Sequence, residues 1–392
     1  MPAFEPFTGY RYHPGAVLED VLAPPYDVLS DADVLELTAR SAENIVHVDV
    51  PEGAADRYRL AADRLRQWIA DEVLVPDHAP TLTLYRMDFT DQAGRSRQTV
   101  GVIGALEVVD QGAGGVLPHE RTTAKASTDR LDLTRATRAN LSPVWGLSLA
   151  TGLSQLLADP GDPLGSIEVD GVLHGFERVA DPDRLAAICA AVSGDDVLIA
   201  DGHHRYGVAR AYRDEVRAST GSDRTPAERT MAYVAELAPD QLSIEAIHRV
   251  YTDVDPAALE SALADRFEIA PAIEPGPELL REMSQTGRLA LLTGDGTRWL
   301  SPRPGAFDGV RALDGAWLEA ALERVPHTVS YSHDVTGIEA QVRAGQVVAA
   351  VLIRPTSMAE IERTAREGLL MPPKSTFFTP KLRTGVVLRS LA

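Results

Sequence analysis

The chain has 392 residues, of which 44% are hydrophobic and 24% charged, and this composition and length predict a folded protein of two or three domains. Its formal net charge is −19, so its surface repels nucleic acid and anionic lipid, and neither is an expected partner. No run approaches 18 apolar residues and the amino terminus has no basic region followed by an apolar core, so we expect a cytoplasmic protein without a membrane span.

The amino-terminal part of the chain combines a rigid loop with short elements. Residues 23–28 contain consecutive prolines, which hold the backbone extended. Ser30 is expected to cap a helix that ends at Arg40, and residues 45–50 alternate as a strand does. Further along, the patterns predict strands over 81–89, 99–109, 197–200, 231–237, 242–250, 289–293 and 347–354, and helices over 54–71, 131–140, 181–193, 206–217, 256–267, 313–324 and 358–367.

These elements predict an α/β or α+β fold with mixed sheets. Residues 151–172 are expected to be a loop-rich elaboration. We divide the chain into an amino-terminal segment (1–80) with a loop that contributes to a cleft, a central domain (81–251) and a carboxyl-terminal α/β domain (252–392). The single cysteine, Cys189, is expected to be a buried inert thiol within its helix.

One short motif carries most of the chemical information. Four apolar residues of a predicted strand run into Asp201 and Gly202, which are followed by His203, His204 and Arg205 and then by a helix-like run. A strand that enters a helix through a glycine turn directs the positive end of the helix at one point, where a phosphate would bind. An arginine adds a charged clamp, and histidines add proton-transfer or metal-binding capacity.

Three other polar clusters lie beside proline or glycine on predicted loops, where catalytic groups concentrate. Together they supply carboxylates, imidazoles and fixed positive charge, a set that suits phosphoryl transfer with Mg²⁺. Each cluster also has a structural interpretation, as the end of a turn or as ion pairs with a neighbouring helix. The sequence has no Gly-x-x-x-x-Gly-Lys-Ser/Thr loop and no protein-kinase signature, so any nucleotide is held in another way. The clusters are Tyr26 and Asp27; His119, Glu120, Arg121 and Thr122; and Lys374, Ser375 and Thr376.

Five pieces of the sequence together resemble the prokaryotic family catalogued as domain of unknown function 1015. They are distributed over nearly the whole chain. The pieces are residues 23–28, 117–122, 138–143, 201–206 and 371–376.

The motif from Asp201 to Arg205 also resembles the signature of the free-serine kinases of the ParB/sulfiredoxin-like superfamily. The resemblance implies a ParB/sulfiredoxin-like central portion with amino- and carboxyl-terminal elaborations, in which residues 81–251 are the nucleotide-binding and catalytic domain. It also implies ATP or ADP as the nucleotide. It further implies that Glu120, beside His119, is the base toward a serine hydroxyl. Asp201, Gly202, His203, His204 and Arg205 would hold the phosphates or, at Asp201, orient Mg²⁺. Sulfiredoxins have cysteine at the position of His203, so sulfinic-acid reduction is not expected.

The resulting hypothesis is a nucleotide-dependent small-molecule kinase that phosphorylates a hydroxyl metabolite such as free serine. The residues Tyr26, Asp27, Arg121, Thr122, Lys374, Ser375 and Thr376 are expected to bind the substrate.

Two alternatives remain open at this point. A metal-dependent hydrolase would use His119, Asp201, His203 and His204, although neighbouring residues of a helix point about 100° apart. A non-catalytic nucleotide or metabolite sensor would bind without turnover. The sequence leaves the acceptor and the oligomeric state undetermined.

Overall fold

The structure is a computed structural model that describes residues 1–53, 56–91, 94–110, 112–118, 127–239, 241–372 and 374–392. The strands are β1 (Phe4–Glu5), β2 (Gly9–Tyr12), β3 (Leu74–Pro76), β4 (Leu82–Thr90), β5 (Ser96–Glu107), β6 (Val116–Leu117), β7 (Ala139–Asn140), β8 (Val144–Ser148), β9 (Asp162–Val169), β10 (Val172–Val179), β11 (Val197–Asp201), β12 (Arg229–Glu236), β13 (Ser243–Glu245), β14 (His248–Thr252), β15 (Phe267–Pro271), β16 (Leu289–Thr293), β17 (Gly296–Pro302), β18 (Thr328–Ser332), β19 (Ala349–Leu352), β20 (Phe377–Thr379) and β21 (Leu388–Ser390).

The helices are α1 (Leu18–Val21), α2 (Asp31–Arg40), α3 (Val46–Asp49), α4 (Arg57–Ala70), α5 (Ser127–Thr137), α6 (Leu153–Leu156), α7 (Pro182–Val192), α8 (His203–Thr220), α9 (Pro256–Arg266), α10 (Pro277–Thr286), α11 (Asp314–Leu322), α12 (Val335–Arg343) and α13 (Met358–Arg366). Single turns of 3₁₀ helix lie at Tyr26–Val28 and Pro226–Glu228.

The chain forms two compact units. The first comprises Met1–Leu242, Glu362–Leu369 and Pro380–Ala392, and the second comprises Ser243–Ile361 and Leu370–Thr379. The chain therefore returns to the first unit after it has completed the second. The division into 1–80, 81–251 and 252–392 stays a prediction.

A large mixed sheet forms the centre of the first unit. Within the described residues its strand order is β6-β11-β8-β12-β5-β4-β10-β9, with β1 beside β5. The β6–β11 and β8–β12 pairs are parallel, whereas the remaining pairs of this sheet are antiparallel. Apolar side chains of β5 and β11 pack with α6 and α7, through residues that include Val102, Val197, Leu153 and Ile188. This buried packing fixes the end of β11, where the polar motif follows.

A smaller sheet of the first unit has the order β3-β2-β21-β7. Its strand β21 comes from the end of the chain and pairs with β2 and β7. The residues just before β21 are therefore held within the first unit.

The second unit contains a sheet of the order β15-β17-β16-β19-β14-β18, whose strand pairs are antiparallel. Leu289 and Leu291 of β16 pack in one buried cluster with residues of α9 and α11, whereas Ala290 and Leu292 pack in another with residues of α10 and α12. Because successive side chains of a strand point to opposite faces, helices cover both faces of this sheet. The two units confirm the predicted class of α/β or α+β fold with mixed sheets.

Two of the sequence-based assignments were wrong. Residues 45–50 do not form a strand, because Val46–Asp49 is the helix α3, whose Val46 N–H donates to the side chain of Asn44 at 3.0 Å. Residues 151–172 are not mainly loop, because they contain α6 and the edge strand β9. Ile167 is the one buried residue of β9, so the strand lacks the alternation of apolar residues that reveals a half-buried strand.

Candidate functional site

The predicted strand, glycine turn and helix are present at the motif. Strand β11 ends at Asp201, Gly202 adopts φ +82°, and α8 begins directly at His203 rather than at Tyr206. Glycine suits this position because the backbone of any other residue would be strained at this positive φ. An added Cβ would also lie 3.0 Å from the Cζ of Arg205. The first turn of α8 contains no acidic side chain. Because α8 begins at this turn, the positive end of its dipole faces the turn, and no acidic side chain there offsets it.

Asp201 is held between two cations. Its Oδ2 accepts a hydrogen bond from Arg205 Nη2 at 2.9 Å, and its Oδ1 accepts one from Lys381 Nζ at 3.2 Å. Burial raises the pKa of Asp201, but the charges of Lys381 and Arg205 outweigh burial and lower this pKa to about 2. Asp201 is therefore a permanent anion at neutral pH and a poor proton acceptor, and its charge suits a role in binding a cation.

Arg205 uses both terminal nitrogens within the protein. Besides Asp201, it donates through Nη1 to the carbonyl oxygen of Pro143, and its side chain is only 11% exposed. Burial lowers the pKa of Arg205, but the charges of Asp201, Asp27, Tyr26 and Asp49 raise it overall. In this arrangement Arg205 fixes the position of Asp201 and supplies positive charge.

The predicted Tyr26 and Asp27 lie near Arg205, since all three interact electrostatically. The guanidinium of Arg130 stacks 4.2 Å from the centre of the Tyr26 ring. Arg130 Nη1 also donates to the backbone oxygen of Asp49 at 2.5 Å and lies 3.4 Å from its Oδ1. Burial raises the pKa of Asp49, although Arg130 and Arg205 partly oppose the increase. Carboxylates and guanidinium groups are thus packed together beside the motif.

These groups surround a small cavity, which we name the Tyr26 pocket. It encloses about 60 Å³, and because it has both negative and positive side chains it suits a small ligand that carries both charges. The polar side chains that line it are Tyr26, Asp49, Arg130, Thr134, Asn140, Ser142, Arg205, Tyr212, Arg229 and Thr230. The structure therefore joins three of the family-like pieces, 23–28, 138–143 and 201–206, around one cavity.

The second predicted cluster lies outside the described residues. His119, Glu120, Arg121 and Thr122 belong to residues 119–126, of which the structure describes nothing. The strand before them, β6, is described and pairs in parallel with β11, where Leu117 is opposite Leu198. Because the two strands run in the same direction, the carboxyl end of β6 lies at the same edge of the sheet as Asp201 at the end of β11.

The third predicted cluster belongs to the second unit. Ser375 Oγ donates to the carbonyl oxygen of Pro372 at 2.7 Å, and the carbonyl oxygen of Lys374 accepts from Arg249 Nη1 at 3.1 Å. Ser375 and Thr376 are both buried, whereas Lys374 is exposed and has φ +59°. These contacts stabilise a turn, and the substrate-binding role of Lys374, Ser375 and Thr376 stays a prediction.

Sequence reasoning missed Lys381, Asp49 and Arg130. Lys381 is 180 positions from its partner Asp201, and no local periodicity relates the two. Asp49 lay in a segment predicted as a strand, which gave it no site role. For Lys381, the available signal was a pair of basic residues, Lys381 and Arg383, shortly after Pro380.

The arrangement of potential metal ligands is also informative. In the part of the chain that the structure describes, no group of three or more His, Cys, Asp and Glu side chains could together hold a metal ion. Asp201 supplies one ionised carboxylate, which is a suitable single protein ligand for Mg²⁺ bound mainly through phosphate and water.

The protein is thus a mixed α/β protein with a polar turn between a strand and a helix beside a small charged cavity. The chain belongs to the family described as protein of unknown function (DUF1015), whose pattern matches residues 4–316. No curated protein matched the sequence. Across the described ranges, no helix is both long enough and apolar enough to cross a bilayer.

Several solved structures are distantly similar to this chain. A free serine kinase in complex with AMP is 13% identical at a TM-score of 0.38, and the match covers 69% of this chain and 89% of the kinase. A conserved hypothetical protein from Pyrococcus furiosus is 13% identical at a TM-score of 0.36, over 68% of this chain and 87% of that protein. SbnI with a carboxyl-terminal truncation, from Staphylococcus aureus, is 13% identical at a TM-score of 0.39, over 71% and 82% of the two chains.

Proposed function

We propose that this protein is a nucleotide-dependent small-molecule kinase that phosphorylates a hydroxyl metabolite such as free serine. The observation that carries the proposal is the glycine turn from Asp201 to Arg205, which begins a long helix directly beside the Tyr26 pocket. The helix start and the nearby cations favour the phosphates of ATP or ADP, and the adjoining cavity can hold a small acceptor.

The nucleotide side of the site consists of Gly202, His203, His204 and Arg205. Gly202 lets the backbone approach the phosphates closely, and the histidines lie on the first turn of α8. Because both terminal nitrogens of Arg205 already donate within the protein, we propose that it favours the phosphates through its charge and through its hold on Asp201. Asp201 is the residue that would bind Mg²⁺, whose charge would neutralise the phosphates.

The acceptor side consists of the Tyr26 pocket and the segment after β6. A guanidinium group of the pocket can bind the carboxylate of an amino acid, and Asp49 can bind its ammonium group. We propose Glu120, supported by His119, as the base that takes the proton of the hydroxyl group, because β6 directs the chain toward the same edge of the sheet as β11. We also propose that this side binds the substrate through Tyr26, Asp27, Arg121 and Thr122. The proposed substrate-binding residues of the second unit are Lys374, Ser375 and Thr376.

The nucleotide site is tested by calorimetric titration of the full chain with ATP and with ADP, each with Mg²⁺. We expect micromolar binding of one nucleotide, a loss of at least about tenfold in affinity in Arg205→Gln, and unchanged affinity in Arg135→Gln. Arg135 is a matched control because it is a half-exposed arginine of α5 that pairs with Glu215. If neither nucleotide binds, or if both variants bind like the wild type, the nucleotide site is wrong.

The catalytic step is tested by phosphorylation of serine and other small hydroxyl compounds. Glu120→Gln should reduce the rate by about 10²-fold or more while nucleotide affinity is kept, since it removes a general base and not a phosphate contact. Glu168→Gln, a change on the exposed face of β9, is the control. An unchanged rate in Glu120→Gln would exclude this residue as the base, and tight nucleotide binding without turnover on any acceptor would favour the non-catalytic alternative.

A further inference from the structure

A second and larger cavity lies in the first unit, and the proposed function does not use it. It encloses about 500 Å³, which falls within the range of about 300–1,000 Å³ typical of small-molecule sites. We name it the Arg383 pocket. Its lining includes Leu37 and Arg40 of α2, His174 of β10, Asp170 of the turn before β10, and Lys381 and Arg383 near the end of the chain.

Arg383 is the unusual residue of this pocket. It is only 8% exposed, yet its guanidinium makes no hydrogen bond or ion pair with any residue that the structure describes, and its Nε is fully buried. Burial lowers the pKa of Arg383, and neither Tyr85 nor Asp170 compensates fully. A buried guanidinium without a partner is costly, so such a group in a cavity wall indicates an anionic ligand.

The Tyr85 hydroxyl group holds Arg383 and a second donor, His174, in fixed positions. The Tyr85 hydroxyl accepts a hydrogen bond from the Arg383 backbone N–H at 2.9 Å and lies 2.8 Å from His174 Nδ1. Since the hydroxyl proton has no other acceptor among the described residues, it is donated to Nδ1, and the ring proton of His174 lies on Nε2. Burial and the charge of Arg383 lower the pKa of His174 to about 4, so the ring is neutral and Nε2–H is a donor.

The distribution of charge agrees with an anionic guest. The acidic groups of the pocket lie at its exposed rim. There Asp33 accepts a hydrogen bond from the Ser30 backbone N–H, and Glu36 forms an ion pair with Arg40 at 2.6 Å. Asp170 is also exposed. The buried part of the wall instead presents the charged Arg383 and the neutral donor His174, so Arg383 makes the interior positive while the rim is mixed.

We infer that the Arg383 pocket binds a small molecule through a phosphate or carboxylate group that pairs with the guanidinium of Arg383 and accepts a hydrogen bond from His174 Nε2–H. A guanidinium matches the geometry of both oxyanions with two parallel hydrogen bonds. Lys381 lines the same pocket and also binds Asp201, so that the oxyanion site adjoins the motif of the proposed kinase. The inference does not depend on the kinase activity.

The test measures the melting temperature of the full chain in phosphate-free buffer, with inorganic phosphate or with succinate, against sodium chloride of equal ionic strength. We expect at least one oxyanion to raise the melting temperature of the wild type by about 3 °C or more above the chloride control. A response to phosphate alone identifies a phosphate site, and a response to succinate alone identifies a carboxylate site.

Two variants show whether Arg383 causes the response. Arg383→Met should melt at or above the wild-type temperature without oxyanion, because it removes a buried charge without a partner, and it should lose the oxyanion response. Arg389→Met is the matched control: Arg389 is equally buried at 7% exposure but donates to the carbonyl oxygens of Arg229 and Pro226, so this variant should melt lower and keep the response.

The inference is overturned if neither oxyanion stabilises the wild type beyond chloride, or if Arg383→Met responds as the wild type does. Should Arg383→Met not fold, Arg383→Gln, which keeps hydrogen-bond donors without the charge, decides by the same comparison. These measurements use no nucleotide and no turnover. Their result is therefore distinguishable from a failure of the proposed kinase activity.

Discussion

The ion pairs at the end of β11 give a quantitative prediction for the variant Asp201→Asn. The pKa of Asp201 is about 2 rather than the ordinary 3.8, because Lys381 and Arg205 outweigh the effect of burial. At 1.36 kcal/mol for each tenfold change in proton affinity, the ionised carboxylate contributes about 2 kcal/mol to the folding free energy at pH 7. We therefore expect the free energy of unfolding of Asp201→Asn to be lower by about 2–3 kcal/mol, since two largely buried cations lose their anion.

The pH dependence of this difference follows from its sign. The pKa of Asp201 is lower in the folded than in the unfolded chain, so its contribution is complete above the unfolded value of 3.8 and is lost as the pH falls toward 2. Urea unfolding of wild type and variant at pH 7, 5 and 3 should show a difference that is constant between pH 7 and 5 and smaller at pH 3.

The control is Asp162→Asn. Asp162 is 67% exposed and lies 3.5 Å from Arg178, so its loss should change the free energy of unfolding by less than about 0.5 kcal/mol. The reasoning is refuted if Asp201→Asn costs no more than this control at pH 7, or if its cost stays the same at pH 3.

Two further predictions concern the backbone of the motif and the thiol. Gly202→Ala should lower the free energy of unfolding by about 1–2 kcal/mol, because φ is +82° and the added Cβ would lie against Arg205. Gly207→Ala, in the interior of the same helix with no atom within 4 Å of the added Cβ, should instead raise it by about 0.5–1 kcal/mol, and equal effects in urea unfolding would contradict the assigned conformation of Gly202. Burial raises the pKa of Cys189 to about 11, so iodoacetamide at pH 7.5 should label the native protein far more slowly than the unfolded one, and labelling at equal rates would show that the thiol is not protected.

The elements that the sequence predicted correctly carry strong local signals. Ser30 caps α2, and the side chain of Asp33 accepts a hydrogen bond from the Ser30 backbone N–H, as in a capping box. Pro182 begins α7, and a glycine separates β11 from α8. Such signals depend on a few neighbouring residues, and they therefore need no knowledge of the fold.

The errors arose where the local signal was weak or was not used. Val46 and Val48 are both buried, which resembles a strand, but the Asn44 side chain bonds Asp20 O at 2.7 Å and favours the short helix α3. Residues Asp170 and Gly171, with φ of +54° and +73°, form the turn between β9 and β10. An Asp-Gly pair is a hairpin signal, and its use would have revealed both strands.

The candidate site depended on contacts that no local pattern contains. The motif from Asp201 to Arg205 was recognised from its residue types, and its nearness to Tyr26 and Asp27 was only an expectation. The pairing of Lys381 with Asp201 could not be predicted, because a pair separated by 180 positions leaves no periodicity in one sequence. Arg383 was missed because its significance is that its guanidinium has no partner among the described residues, which no sequence pattern reveals.

The return of residues 380–392 to the first unit has a consequence for how the protein is made. Strand β21 and Lys381 are synthesised after the second unit, although β21 pairs with β2 and Lys381 with Asp201. At about 5–20 residues per second, the ribosome needs roughly 7–30 seconds to proceed from residue 242 to residue 380. During that interval the nascent first unit has its motif but not the lysine that balances it, so the chain completes its charged centre only after the second unit has been translated.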